Sequence, residues 1–348
     1  MRVGEAKGVA ERWVSGVASG LPGFAGAYVH GGVAWLPDAA ELPATSDLDV
    51  MVVLDGPAPG IKLGKLSVEG VLLDVSYLPR DAVRTAEQVL GQHQLAGSLA
   101  GSRLMADPTG ELAPLQAAVS AGYPLRRWVR RRVEQAREKV LTGFPLREED
   151  PLPNQVTACA FSAGGLAHVL LVAALRNPTV RTRYVTAREV LAAYGHGDLY
   201  PALLELQGGR DMSPAQVARH LDAVELAFDA TSRVVRTPVF YATDISAAAR
   251  PIAIDGSREL IARGEHREAI FWVVATACRC RSILAADAPD ELPLHAAAFE
   301  SLLADLGVAT PADRRRRRSE TEGLLPAVWD VAEAIMAANP EIMDDGQG

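Results

Sequence analysis

The most constraining stretch of this chain is residues 47–55, Asp-Leu-Asp-Val-Met-Val-Val-Leu-Asp. Its β-branched run predicts a strand, and side chains alternate between the two faces of a strand. Leu48, Val50, Val52 and Leu54 share one face and need a core to cover them. Asp47 and Asp49 share the other, about 6.5–7 Å apart along the chain. Two carboxylates side by side at the head of an apolar strand repel each other, which costs free energy unless something neutralises them. A divalent cation does so, and an oxygen-only donor set selects Mg²⁺ or Mn²⁺.

The neighbouring sequence supplies complementary parts. Gly23 to His30 reads as a short apolar strand ending at Gly31-Gly32. Glycine allows a sharp turn and close backbone approach to a phosphate, and a helix beginning there would favour an anion. Pro37 and Pro43 keep any such helix short. Asp74 interrupts a second apolar strand, Val71 to Pro79, which pairs as a hairpin with residues 61–68 across a Glu69-Gly70 turn. Helices are expected over 4–19 and 80–91, and a short strand over 103–106.

The pattern then changes. Residues 111–142 read as one long helix with a basic centre, Arg126 to Arg132. Helical spacing continues, punctuated by Asn177-Pro178, Gly195 to Gly197, Gly208-Gly209, Ser213-Pro214 and Pro289, with one weak strand signal over 236–243. The expected architecture is α+β: an α/β domain with a small mixed sheet over residues 1–115, an all-helical domain of five to eight helices over 116–340, and a frayed, flexible tail over 341–348.

Composition limits the partners. A formal charge of −8 argues against a general nucleic-acid binder. Three cysteines, an odd number, exclude a disulfide framework and suit a reducing cytoplasm. The charged N-terminal stretch lacks the apolar core of a secretory signal. Residues 156–175 are uncharged and long enough to span a bilayer, yet Thr157, Ser162, Gly164, Gly165 and His168 favour a buried core helix, and no membrane partner is expected. The Arg126–Arg132 cluster reads as a solvated or acid-paired helix face, and the Arg314–Arg318 run as a solvated surface. Cys278 and Cys280 face different directions on a helix and make no zinc site. Neither a Walker pattern nor a G-x-G-x-x-G fingerprint occurs.

Gly31-Gly32, then Ser46-Asp47-Leu48-Asp49, then Asp74 resembles the motif set of the nucleotidyltransferase superfamily that includes polymerase beta and the aminoglycoside nucleotidyltransferases. Leu104 to Gly110 is similar to the segment that closes the catalytic domain in its small-molecule members. The motifs cover about residues 25–110. Gly32 stands where the antibiotic-modifying branch usually has Ser, and the spacer to Asp47 is longer than in that branch. The resemblance implies that Asp47 and Asp49 are ligands of two Mg²⁺ ions, and that Gly31, Gly32 and Ser46 contact the β- and γ-phosphates of an NTP, with ATP expected. Asp74 would be a third ligand, a general base, or both, with Asp198, Glu205 and Glu225 as competing bases. The family's helical domain covers the nucleotide, which makes Arg183 and Tyr184, read in a loop after the apolar helix, nucleotide-binding candidates. The implied activity is transfer of a nucleoside monophosphate to a hydroxyl of a small, aminoglycoside-like acceptor, with release of pyrophosphate. Two alternatives stay open: a protein or tRNA end as acceptor, as in the toxin–antitoxin branch, and a non-catalytic nucleotide-binding protein.

Overall fold

The alternation along residues 48–54 is realised as a central strand with apolar layers on both sides. The computed structural model describes residues 1–176 and 180–346. The Asn177-Pro178 break falls outside them. The chain divides into two units, one formed by 1–132, 238–244 and 341–348, the other by 133–237 and 245–340.

The first unit contains α1 (Val3–Gly16), β1 (Phe24–His30), α2 (Gly31–Ala34), β2 (Leu48–Leu54), β3 (Gly64–Val68), β4 (Val71–Pro79), α3 (Ala86–Leu90), α4 (His93–Ala100), β5 (Arg103–Ala106), α5 (Leu112–Gly122) and the start of α6 (Arg126–Thr142). The five strands form one sheet in the order β3-β4-β2-β1-β5. β2 and β4 run parallel and the other pairs antiparallel, so the sheet is mixed. The β3–β4 hairpin turns at Glu69-Gly70, with Val68 opposite Val71.

Leu48, Val50, Val52, Leu73 and Val75 pack against Val3, Ala6, Ala10, Trp13 and Val14 of α1. The other face carries Tyr28, Val53 and Leu78 under Val89, Leu90, Leu99, Leu112 and Val119. Each fully buried aliphatic side chain contributes about 1.5–3 kcal/mol, so the two layers fix which way every β2 side chain points.

Several expectations change. The 80–91 helix is a 3₁₀ turn over Arg80–Val83 followed by α3. The long 111–142 helix breaks between Gly122 and Arg126, where Pro124 lacks an N–H and restricts the residue before it. Its basic centre is only partly solvated. Arg132 is buried, donates to the carbonyls of Leu90 (3.2 Å) and Tyr123 (2.6 Å), and stacks on the Tyr123 ring. Residues 236–243 form no strand; a 3₁₀ turn over Ala242–Ile245 stands there, and Pro238–Asp244 joins the first unit. The described part of the tail is docked, because its backbone finds partners. Met343 accepts from Arg126 N–H and donates to Pro124 O, both at 2.9 Å, Ile342 is buried, and Asp344 pairs with Arg126.

The second unit is helical: α7 (Leu152–Ala173), α8 (Arg183–Ala193), α9 (Tyr200–Gln207), α10 (Pro214–Val234), α11 (Gly256–Ala262), α12 (His266–Asp287), α13 (Leu292–Asp305) and α14 (Pro311–Ala338), with the remainder of α6. Ser213 and Thr310 cap α10 and α14 with reciprocal side-chain bonds to Gln216 and Asp313, and Pro follows each cap at the first helical position. α7 and α12 are both long and apolar enough to cross a membrane, but 72% of each apolar window is buried within the protein. The 156–175 stretch is therefore a core helix, as expected, and α12 is a second one.

The Arg314–Arg318 run departs from the expected solvated face. Helical spacing turns Arg314 and Arg317 inward, where both are buried. Arg314 donates to the carbonyls of Val308 and Ala309, and Arg317 to those of Leu206 and Leu306. Arg317 thereby caps the C-terminal ends of α9 and α13, while Arg314 ties down the loop that precedes α14.

Truncation after Pro340 removes the buried Ile342 and the Met343 backbone bonds. It is expected to destabilise the first unit by about 2–3 kcal/mol, read as a lower urea midpoint for Trp13 fluorescence.

Candidate metal centre

Register across the sheet builds one row of polar side chains. The β1–β2 pairing places His30 opposite Asp49. The parallel β2–β4 pairing places Asp49 beside Asp74, and the hairpin places Asp74 opposite Lys65. Asp47 precedes β2 by one residue. One carboxylate oxygen from each of Asp47, Asp49 and Asp74 lies within 4.8 Å of the others. A Mg²⁺ ion about 2.1 Å from each ligand spans oxygen pairs up to about 4.2 Å apart, so small side-chain rotations close the set. Three hard oxygen donors fit Mg²⁺ or Mn²⁺ and offer nothing to a soft metal.

Gly31 adopts φ +75°, and a Cβ there would overlap the Asp49 carboxylate. Only glycine lets the chain leave β1 this close to β2. Gly32 faces open space. α2 is a single turn, as Pro37 and Pro43 required, and Ser46 follows in the turn that donates its N–H to Pro43 O at 3.0 Å.

Two lysines and a fourth carboxylate complete the site, and the sequence reading missed all three. Lys62 Nζ reaches both Asp74 oxygens, at 2.9 and 3.0 Å, and Asp244 Oδ1 at 3.3 Å. Lys65 Nζ donates to Asp74 Oδ2 at 2.6 Å and to Asp47 Oδ2, with Asp244 Oδ1 at 3.8 Å. The Lys65 side chain is only 6% exposed and that of Asp244 only 11%. Lys65 was findable: counting back from the Glu69-Gly70 turn puts it directly across from Asp74. Asp244 was not, since it lies 182 residues from Lys62. Its segment presses on the start of β3, where Gly64 has φ +77° and a Cβ would collide with Thr243.

Charge is unevenly offset. Burial, then the Asp47 and Asp74 charges, push the Asp49 carboxyl well above the usual carboxylate range. Burial would also raise Asp74, but Lys65 and Lys62 outweigh it and hold Asp74 below its ordinary value. Burial would lower Lys65, but Asp47, Asp74 and Asp244 raise it. Burial pushes the His30 imidazole down to about 4 despite Asp74 and Asp47, so His30 is neutral at pH 7. The deficit of positive charge thus concentrates at Asp49, where an added cation gains most.

The remaining candidates belong to the helical unit. Arg183 and Tyr184 open α8 instead of lying in a loop, and both are buried. The Arg183 guanidinium stacks on the Phe271 ring, 4.3 Å from its centroid. Glu225 is paired with Arg250 and Arg258, Glu205 with Arg210, and Asp198 is exposed in a 3₁₀ turn. Compared with known proteins, the sequence matches no family model, and a search of curated proteins finds none significantly similar.

Gly31→Ala is expected to cost about 1–3 kcal/mol through left-handed strain and the overlap with Asp49, whereas Gly32→Ala costs under about 0.5 kcal/mol. Denaturant unfolding of the two variants measures the difference.

Proposed function

We propose that this chain is a Mg²⁺-dependent nucleotidyltransferase that moves a nucleoside monophosphate, AMP by preference, from an NTP to a hydroxyl of a small molecule and releases pyrophosphate. The observation that carries the reading is the convergence of Asp47, Asp49 and Asp74 on one patch of sheet, directly beside the Gly31 turn. Three carboxylates gathered around two ammonium groups, neither of which pairs with Asp49, are costly to fold around, and holding metal would explain why they are together.

In this reading Asp47, Asp49 and Asp74 hold the cation. Once bound, it neutralises triphosphate charge and draws electron density from the reacting phosphorus. Gly31, Gly32 and Ser46 offer backbone N–H groups and a hydroxyl to the phosphates. Asp74, clamped by two ammonium groups and held below its ordinary value, is a weak proton acceptor, so it serves as ligand rather than base. Arg183 and Tyr184 keep a packing role, because both are interior to the helical unit. A net charge of −8 favours encounter with polycationic, hydroxyl-rich acceptors of the aminoglycoside type.

Incubation with each labelled NTP, Mg²⁺ and a panel of aminoglycosides and other polyols is expected to label an acceptor and release pyrophosphate. EDTA should abolish the reaction. Asp47→Asn and Asp49→Asn should each lower turnover at least about 10³-fold with unchanged circular dichroism. Absence of transfer from every NTP to every acceptor overturns the reading.

A further inference from the structure

We propose that Lys65 is a built-in cation that takes the place of one of the two divalent ions expected here, so that the chain without nucleotide binds a single divalent ion. The inference rests on the metal-holding reading of the carboxylates and adds to it a stoichiometry and a residue that sets it.

Three observations carry it. First, Lys65 Nζ bridges Asp47 and Asp74, placing a positive charge between two of the three carboxylates. Second, the ammonium is held there. It lies at the end of a side chain only 6% exposed, directly across the hairpin from Asp74, with Asp244 on a further side at 3.8 Å. Lys62, at 21% exposed, is the freer of the two and divides its contacts between Asp74 and Asp244. Third, the uncovered charge fits one ion better than two. Asp47, Asp49 and Asp74 set against Lys62 and Lys65 leave a formal surplus of one negative charge, which a single divalent cation already exceeds. That surplus lies away from the lysines, since among the described residues Asp49 pairs with neither of them. The single ion would therefore be held by Asp49 together with the oxygens of Asp47 and Asp74 that Lys65 does not engage. An NTP, which travels with its own Mg²⁺, would bring any further ion with it.

The test titrates Mn²⁺ into the metal-stripped full-length protein without nucleotide. Bound ion is counted by loss of the free Mn²⁺ paramagnetic resonance signal and by calorimetry. The native chain is expected to take up one Mn²⁺. Lys65→Met and Lys65→Gln, which remove the charge, should each take up two, and Lys65→Arg, which keeps it, should take up one. Thermal melts establish that each variant is folded, and either neutral variant suffices. Two ions in the native chain, or one in a folded neutral variant, overturns the assignment of Lys65. Asp49→Asn separates that failure from failure of the site: if it abolishes uptake while the Lys65 variants leave the count unchanged, the metal site stands and only the role of Lys65 falls. If Asp49→Asn leaves uptake intact, or the native chain takes up no Mn²⁺ at millimolar concentration, the metal-holding reading falls as well.

Discussion

Mutual repulsion of carboxylates at the edge of a buried layer is the constraint around which the first unit is organised. Asp49 and Asp74 sit next to each other on parallel strands, with Asp47 one residue before the strand. Left alone, such a group would protonate or splay apart. Neither escape is easy, because the strands that bear them are pinned from both sides by α1 and by the α3–α5 layer. Hydrophobic burial thus overrides local electrostatics and holds the carboxylates in register. The nearby features, two lysines, the Gly31 turn and the approach of Thr243 to Gly64, are consequences of packing around that charge.

How far this was legible follows from the range of the interactions. The 48–54 strand and its division into apolar and acidic faces came from alternation, a local property. The β3–β4 hairpin came from its turn, and α2's shortness from two prolines. The convergence of Asp47, Asp49 and Asp74 could be anticipated because Asp49 and Asp74 lie on strands bounded by clear signals and Asp47 immediately precedes one of them. What escaped was set by distant chain or by one turn of phase. Asp244 reaches the sheet from beyond α10, and no periodicity within 236–243 announces it. The arginine-rich runs were misread because charge suggested solvent. Arg132 and Arg317 are buried because each finds carbonyl acceptors at the ends of other helices, and Arg314 because it finds Val308 and Ala309 in the loop before its own helix. Turn signals before Arg183 and Tyr184 suggest a loop, whereas α8 begins at Arg183.

The same accounting separates the two lysines from ordinary surface cations. An exposed ion pair contributes little, since water and salt screen it. Lys65 is enclosed on several sides, and removing its charge would leave several buried carboxylates uncompensated at once. Burial makes its position a structural commitment, comparable with a core side chain, while Lys62 keeps more contact with solvent.

The first unit is also discontinuous. Its sheet lies within the first 132 residues, but Pro238–Asp244 and the residues from Glu341 onward are built into the same body. During synthesis, the strands leave the ribosome long before the segment that carries Asp244, and the Met343 pairing with the head of α6 closes last. A sheet formed early in synthesis has its acidic row only partly enclosed until Asp244 arrives, and the head of α6 lacks its Met343 partner until later still. Its acidic centre reaches its final electrostatic environment only once the chain has been made as far as Asp244, and with it about half of the helical unit.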